Sequence, residues 1–238
     1  MGDAGVVFLG EIHDNPFQHA NQASAVAALE PKALVFEMLT PAQALKVTPA
    51  LRRYSDQLGE VLGWRESGWP DFSMYYPIFA AAPEAEIFGG GVPPEEARRA
   101  VTDGAAKVFG TAALLFGLDR PLPQNEETTR EAGQMQAHCD ALPETLLPGM
   151  VQAQRLRDAA IARGVIAAWE ETGGPVAVIT GNGHARTDWG APSLLQALDG
   201  VKVLSLGQYE DEAPADPPYD FWLITLPAER EDPCDAFR

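Results

Sequence analysis

Basic residues are scarce in this chain. Its 238 residues include 17 Lys and Arg against 34 Asp and Glu, which gives a formal net charge of −17 and a pI near 4.5. A field of that sign repels phosphate backbones and anionic lipid surfaces. The composition therefore argues against nucleic-acid binding, and any anionic ligand has to be held by local donors or by apolar contact.

Cysteines and long apolar runs are also few. Cys139 and Cys234 lie far apart, with no CxxC motif. They could form a bridge, but nothing in their spacing demands one, so two free thiols are the favoured expectation. No apolar run approaches the roughly 20 residues that span a bilayer. The opening MGDAGVVFLG lacks the basic and long apolar regions of a secretory leader. We therefore expect a cytoplasmic protein or one whose leader has been removed.

Apolar runs and helical stretches alternate along the chain. Residues 6–10 and 33–38 read as strands on either side of a helix that Asn15 and Pro16 begin, which is a parallel βαβ unit. Further strands are predicted at 86–88, 175–180, 201–206 and 221–225, and helices at 41–62, 126–142, 148–172 and 192–198. This order predicts an α/β fold with three layers, α/β/α, and a mostly parallel sheet. We expect one domain, residues 1–238, with a helical insertion at about 95–172.

Polar side chains follow three of the predicted strands. Glu11 and His13 follow the first strand, Glu37 the second, and His184 the strand at 175–180. Ligands of parallel α/β sheets bind at this carboxyl edge. Two histidines and two carboxylates there can hold a divalent metal or act as general acid and base, and a structural role for all four is less favoured. His19 is expected to be a capping or hydrogen-bonding residue, although it can face the same crevice.

Aromatic residues are concentrated in one segment. Trp64, Trp69, Phe72, Tyr75 and Tyr76 lie within 13 residues. They are either core that covers an edge of the sheet or an apolar platform for a planar ligand. Tyrosine oxygen is a known axial ligand of haem iron, which makes the second interpretation chemically specific.

Several motifs resemble one known family. GEIHDNPFQH (10–19), FEM (36–38), WPDFSMYYPI (69–78), LPGMVQAQRLRD (147–158), GNGHARTD (181–188) and EDPCDAF (231–237) are similar to the bacterial ChaN-like family of haem-binding, iron-regulated proteins. That family belongs with the Tiki proteases and the erythromycin esterases in one superfamily of α/β folds. The resemblance implies a role in iron acquisition in the cell envelope, often as an outer-membrane lipoprotein.

The resemblance also implies functional residues and partners. Haem is expected at a homodimer interface, with Tyr75 as the iron ligand, Tyr76 and Trp69 beside it and Arg186 as a propionate contact. An outer-membrane haem receptor is an expected partner. In the hydrolytic relatives, the residues that correspond to Glu11, His13, Glu37 and His184 form the active site.

Two departures from the family pattern leave alternatives open. Where the family has an Asn-x-Pro-Arg stretch, residues 91–94 read Gly-Val-Pro-Pro, and the lipoprotein cysteine is absent from this chain. Haem binding is the leading hypothesis. The alternative is an esterase-like or peptidase-like hydrolase, with or without a divalent metal on His13, His184, Glu11 and Glu37. A third is a binding module that has lost catalysis, so whether the protein is an enzyme stays open.

Overall fold

Six parallel strands form the sheet in the part of the chain that the computed structural model describes, which is residues 3–232 and 234–235 without the side chain of residue 196. They are β1 (Val6–Glu11), β2 (Ala33–Phe36), β3 (Glu86–Gly89), β4 (Val176–Gly181), β5 (Val203–Glu210) and β6 (Phe221–Thr225). Their order is β3-β2-β4-β1-β5-β6, and every pair is parallel. The predicted α/β/α fold is confirmed.

Helices lie between the strands along the chain. They are α1 (Pro16–Leu29), α2 (Pro41–Ala44), α3 (Ser55–Leu62), α4 (Phe72–Ala81), α5 (Pro94–Asp103), α6 (Ala105–Phe109), α7 (Gln124–Ala137), α8 (Leu147–Thr172) and α9 (Asn182–Ala185). Within the described ranges, none of these helices is both long and apolar enough to cross a bilayer.

The two central strands explain the hydrophobic runs of the sequence. All six residues of β1 and all six of β4 are buried, and β1 pairs with both β4 and β5. A parallel strand that is covered on both faces has no polar side to alternate with, so its sequence is continuously apolar. Because these strands are apolar until they end, the polar side chains that come next lie at the carboxyl edge of the sheet.

The first helix begins as its sequence predicts. The side chain of Asn15 accepts hydrogen bonds from the backbone N–H groups of Phe17 and Gln18, and Pro16 is the first helical residue. The helix ends at Leu29, and the φ of 46° of its C-cap residue, Glu30, lies in the left-handed region. This N-cap is the reason that α1 starts directly beside the carboxyl end of β1.

The continuous helix predicted at 41–62 is wrong. A capping box between Thr40 and Gln43 begins α2, which ends at Ala44, and a 3₁₀ turn at Leu51–Arg53 precedes α3. Pro49 lies between these pieces, and since proline lacks a backbone N–H and fixes φ, it does not allow one helix to run through.

The chain divides into two compact units, and β1 to β6 all belong to the first, Met1–Gly91 with Ala160–Ala228. The second unit is Val92–Ala159 with Glu229–Arg238 and contains α5, α6, α7 and the first half of α8. The predicted helical insertion at 95–172 corresponds to α5–α8. The single domain stays a prediction, and residues 233 and 236–238 of the tail motif lie outside the described residues.

The two cysteines of the second unit are joined in a disulfide. Cys139 and Cys234 are 95 residues apart in sequence and bonded to each other. The prediction of two free thiols was wrong because sequence spacing does not show that the tail returns to the end of α7. Such bridges persist in oxidising compartments.

Candidate functional site at the carboxyl edge of the sheet

Three adjacent strands bring the predicted polar residues together. Glu11 ends β1 and pairs in register with Gly181 at the end of β4, while Glu37 directly follows β2. His13 lies in the turn after β1, and His184 lies in α9 directly after β4. We call Glu11, His13, Glu37 and His184 the carboxyl-edge cluster. Glu11, Glu37 and His184 are buried, and His13 is partly exposed.

Glu11 is the acceptor at the centre of the cluster. Its Oε1 accepts a hydrogen bond from the Tyr75 hydroxyl at 2.9 Å and lies 2.8 Å from Nδ1 of His13. Its Oε2 lies 3.3 Å from Nδ1 of His19, is fully buried and has no hydrogen bond. A carboxylate buried in this way is kept by its cationic and hydrogen-bonding neighbours, because burying it alone would cost several kcal/mol, on the order of 3–5.

Glu37 is held by the end of β4. Its Oε2 accepts hydrogen bonds from the Thr180 hydroxyl and the Gly181 N–H, both at 2.7 Å, and its Oε1 lies 3.5 Å from Nε2 of His184. Burial opposes the charged form, but the charges of His184 and His13 and these two hydrogen bonds lower the pKa of Glu37 from 4.5 to about 2. Glu37 is therefore a carboxylate at neutral pH.

His13 is the member of the cluster that faces outward. Its side chain is 35% exposed, and its ring packs on the edge of Trp69 with the ring centroids 4.9 Å apart. Burial disfavours the imidazolium, but the hydrogen bond with Glu11 and the negative charges of Glu37 and Glu11 raise the pKa of His13 to about 9. At neutral pH the cluster thus presents the His13 cation to solvent, close to the Glu37 carboxylate.

Gly181 makes room for that cation. Nε2 of His13 lies 2.8 Å from the point where a Cβ of residue 181 would stand. A side chain at the end of β4 would force the His13 ring to move, so glycine at this position allows the ring to lie where it does.

His19 does more than its sequence context predicts. It is buried on α1, its Nε2 lies 2.8 Å from the carbonyl oxygen of His13, and its Nδ1 lies 3.2 Å from Oε1 of Gln22. The hydrogen-bonding role is as expected, but its partner is the cluster itself. Sequence reasoning missed Thr180 as a donor to Glu37; a threonine that ends an otherwise apolar strand is the signal that could have found it.

A metal centre has no support in this geometry. Among residues 3–232 and 234–235, no group of three or more His, Cys, Asp or Glu side chains is arranged to hold a metal ion. In the carboxyl-edge cluster each carboxylate is instead engaged by hydrogen-bond donors or histidine rings. The arrangement is that of a charged acid–base network.

The residues predicted to contact haem lie in different surroundings. Tyr75 is fully buried, and burial together with the negative charge of Glu11 raises its pKa far above the usual range. The Tyr76 hydroxyl donates to the carbonyl oxygen of Arg52 at 3.1 Å. Arg186 pairs with Asp188 at 2.6 Å. Trp69 is half-buried and packs on His13, so it contacts the cluster, as Tyr75 does through its hydrogen bond to Glu11.

An aromatic cavity adjoins Trp69. It measures about 670 Å³ and lies between α3 and the segment that leads into α4. Trp64, Trp69 and Phe72 supply its aromatic walls. Its charged lining residues are four carboxylates and one arginine: Asp56, Glu60, Glu66, Asp71 and Arg65. We call it the aromatic-walled cavity.

The fold and the cluster define an α/β protein with a charged site at the carboxyl edge of a parallel sheet. The family profile described as "Haem-binding uptake, Tiki superfamily, ChaN" matches residues 1–195. The chain therefore belongs to this family, as the sequence motifs predicted. No curated protein matches the chain.

Three solved structures are similar to this chain. "Cofacial heme binding to ChaN of Campylobacter jejuni" has a TM-score of 0.71 at 19% identity, covering 91% of this chain and 86% of that one. The type III effector HopBA1 has a TM-score of 0.47 at 14% identity, covering 93% and 88%. A variant of the erythromycin esterase EreC in its open conformation has a TM-score of 0.46 at 10% identity, covering 91% and 75%.

Proposed function

We propose that this protein binds haem and takes part in iron acquisition. The observation that carries the proposal is the match of the haem-binding uptake family over residues 1–195, which include the GEIHDNP and GNGHARTD motifs. The C. jejuni protein that shares the fold was solved as a cofacial haem complex, which supports the same assignment.

The aromatic-walled cavity is the proposed place for the porphyrin. Its volume of about 670 Å³ lies within the range of small-molecule sites, about 300–1,000 Å³. Trp69 and Phe72, which are partly exposed, offer the type of aromatic surface on which a planar apolar ligand packs, whereas Trp64 is only 3% exposed. Aromatic walls suit a porphyrin ring, but a lining with four carboxylates and one arginine does not suit buried propionates. We therefore place the propionates toward solvent, with Arg65 as their nearest cationic partner.

Tyr75 remains the proposed iron ligand, on the condition that its hydroxyl gives up its hydrogen bond to Glu11. Its ring packs against Trp64, with ring centroids 4.9 Å apart, so the phenol lies one aromatic layer behind the cavity wall. Its hydroxyl donates to Glu11, and ligation of iron would replace that hydrogen bond. His13, beside Trp69 and partly exposed, is the second candidate ligand. When bound, haem would supply an iron atom that the Tyr75 oxygen or the His13 imidazole could ligate.

A haemin titration followed by visible absorption tests the proposal. We expect a saturable Soret band, lost or shifted in Tyr75→Phe and retained in Tyr76→Phe, which is the matched control on the neighbouring residue. A band retained in Tyr75→Phe and lost in His13→Gln would move the ligand to His13. Binding no stronger than to a nonspecific apolar protein would refute haem binding altogether.

The compartment and partners are part of the same proposal. The disulfide between Cys139 and Cys234 supports an oxidising compartment, which agrees with the cell envelope. A homodimer that holds haem, an outer-membrane haem receptor and lipid anchoring are implied by the family resemblance and stay predictions. The hydrolase alternative gains no support from the similarity to EreC, whose TM-score is 0.46.

A further inference from the structure

A groove runs along the outer edge of β3, at one end of the sheet. It measures about 560 Å³, and all four residues of β3, Glu86–Gly89, lie in its wall. Most of the remaining wall comes from residues 41–52, which include α2, and from residues 163–171 of α8. All the lining residues belong to the first unit. We call this space the β3 groove.

The strand edge inside the groove has no neighbouring strand. β3 is the outer strand of the sheet and pairs only with β2 in the described part of the chain. The Glu86 N–H donates to the carbonyl oxygen of Lys32, at the start of β2. The Gly90 N–H donates to the carbonyl oxygen of Phe36, at its end. Because alternate residues of a strand bond to opposite sides, the N–H and C=O of Ile87 point away from β2, toward the open edge.

Helices border the groove on both faces of the sheet. A Cβ on Gly89 would lie 2.5 Å from the backbone nitrogen of Pro41, so the start of α2 is on one face. A Cβ on Gly164 of α8 would lie 3.2 Å from Cγ1 of Val35. Gly89 pairs in register with Phe36, so residues 89 and 35 point to opposite faces, and α8 is on the other face. A strand added at this edge is therefore covered on both faces.

The size and lining of the groove suit a short extended segment. Four residues of a strand span about 13 Å, and about 560 Å³ lies within the range of ligand sites, about 300–1,000 Å³. On the face of α2 the lining includes Ala44, Val47 and the side chain of Ile87. On the face of α8 it includes Ala167 and the side chain of Phe88. Both walls therefore accept apolar side chains.

The charges around the groove are mainly negative. Glu84, Glu86 and Glu171 are exposed lining residues, against one exposed arginine, Arg163. The other cation in the wall, Arg52, is buried and donates to two backbone carbonyl oxygens. The rim therefore attracts a partner that carries basic side chains.

We propose that the β3 groove binds an extended peptide, which adds to the sheet as a seventh strand beside β3. Its backbone pairs with the N–H and C=O of Ile87, and its apolar side chains alternate between the wall of α2 and the wall of α8. Lysine or arginine residues on either side of the apolar ones meet the glutamates of the rim. The site involves no haem, so it is independent of the proposed function.

A basic peptide is favoured over two other occupants. The alkyl chain of a fatty acid has no groups to pair with the N–H and C=O of Ile87, and its carboxylate would meet Glu84, Glu86 and Glu171. A second copy of this chain brings a further net charge of −17, which repels the first. A basic extended segment satisfies both the strand edge and the charge of the rim.

Fluorescence anisotropy with a capped, fluorescein-labelled peptide of sequence KVTVK tests the proposal on the haem-free protein. We expect saturable binding with a Kd on the order of 10–100 µM, so titration from about 1 µM to 1 mM brackets it. The same peptide with N-methyl groups on its three central residues cannot donate to the strand edge and should bind at least about 10-fold more weakly. The acidic peptide EVTVE should also bind more weakly, and added salt should weaken the binding of KVTVK.

Two exposed positions of α8 supply the protein variants. Ala167→Trp fills the groove and should weaken KVTVK binding at least about 30-fold. Glu171→Lys, the second variant, reverses one charge of the rim and should weaken it about 3- to 10-fold. Glu170→Lys is the matched control, because Glu170 is exposed on the same helix but does not line the groove, and it should bind as the unchanged protein does.

Three outcomes would overturn the proposal. The first is the absence of saturable KVTVK binding up to 1 mM. The second is equal binding of the N-methylated peptide, which would show that no strand pairing occurs. The third is binding that survives Ala167→Trp, or decanoate binding that Ala167→Trp removes while KVTVK does not bind. Decanoate binding of that kind would make the groove a site for apolar anions.

Discussion

Replacing Tyr75 by phenylalanine removes one hydroxyl from a fully buried ring. That hydroxyl donates at 2.9 Å to Oε1 of Glu11, a buried carboxylate whose other oxygen already has no hydrogen bond. A hydrogen bond to a charged group contributes about 1.5–3 kcal/mol, against about 0.5–1.5 for a neutral pair. We therefore expect Tyr75→Phe to lower the free energy of unfolding by about 2 kcal/mol, with no change in ring packing.

The neighbouring tyrosine provides the comparison. Tyr76 donates at 3.1 Å to a carbonyl oxygen and is partly exposed, so Tyr76→Phe should cost about 1 kcal/mol or less. Urea unfolding of both variants at neutral pH measures the difference. A Tyr75→Phe variant that is no less stable than Tyr76→Phe would show that the Tyr75–Glu11 hydrogen bond does not stabilise the cluster. The same data show whether any change in haem binding comes from altered folding.

Three further predictions concern Glu37, Gly91 and the disulfide. The pKa of Glu37 is lowered from 4.5 to about 2. Its contribution to the stability of the fold, on the order of 3 kcal/mol, is therefore present above pH 4.5 and is lost as the pH falls through 2. Urea unfolding against pH should show this acid dependence, and the Glu37→Gln variant should lack it. A Cβ on Gly91 would lie 2.6 Å from the carbonyl oxygen of Glu37, so Gly91→Ala should lower the free energy of unfolding by more than about 2 kcal/mol. Gly183→Ala, which meets no atom within 4 Å, should change it by less than about 0.5 kcal/mol, and equal thermal stabilities would contradict the argument. Reduction of the Cys139–Cys234 bridge, which spans 95 residues, should destabilise the protein by up to about 4–5 kcal/mol; two reactive thiols in the unreduced protein would show that the bridge does not form.

The strands were predictable because burial on both faces gives an apolar run that few other elements share. The start of α1 was predictable as well, since Asn15 and Pro16 are a cap and a first helical residue. The break in the helix predicted at 41–62 follows from Pro49, a local signal against one continuous helix. Strand order and the bridge between Cys139 and Cys234 depend on contacts between distant residues, which no local pattern contains.

The members of the carboxyl-edge cluster could be named from sequence because parallel strands end at one edge. Their roles could not be assigned in the same way. Tyr75 lies in α4, and the direction of its side chain depends on how α4 packs. In the structure its hydroxyl points to Glu11. The pairing of Arg186 with Asp188 also depends on side-chain rotamers that sequence spacing leaves open.

The contact between His13 and Gly181 links two positions that are 168 residues apart in sequence. Because the imidazole occupies the space beside the Gly181 backbone, residue 181 stays glycine for as long as residue 13 keeps its ring in that place. A smaller residue at position 13 would release position 181 to accept alanine or serine. Relatives that lose the histidine are therefore expected to vary at the end of β4, and those that keep it are expected to keep the glycine.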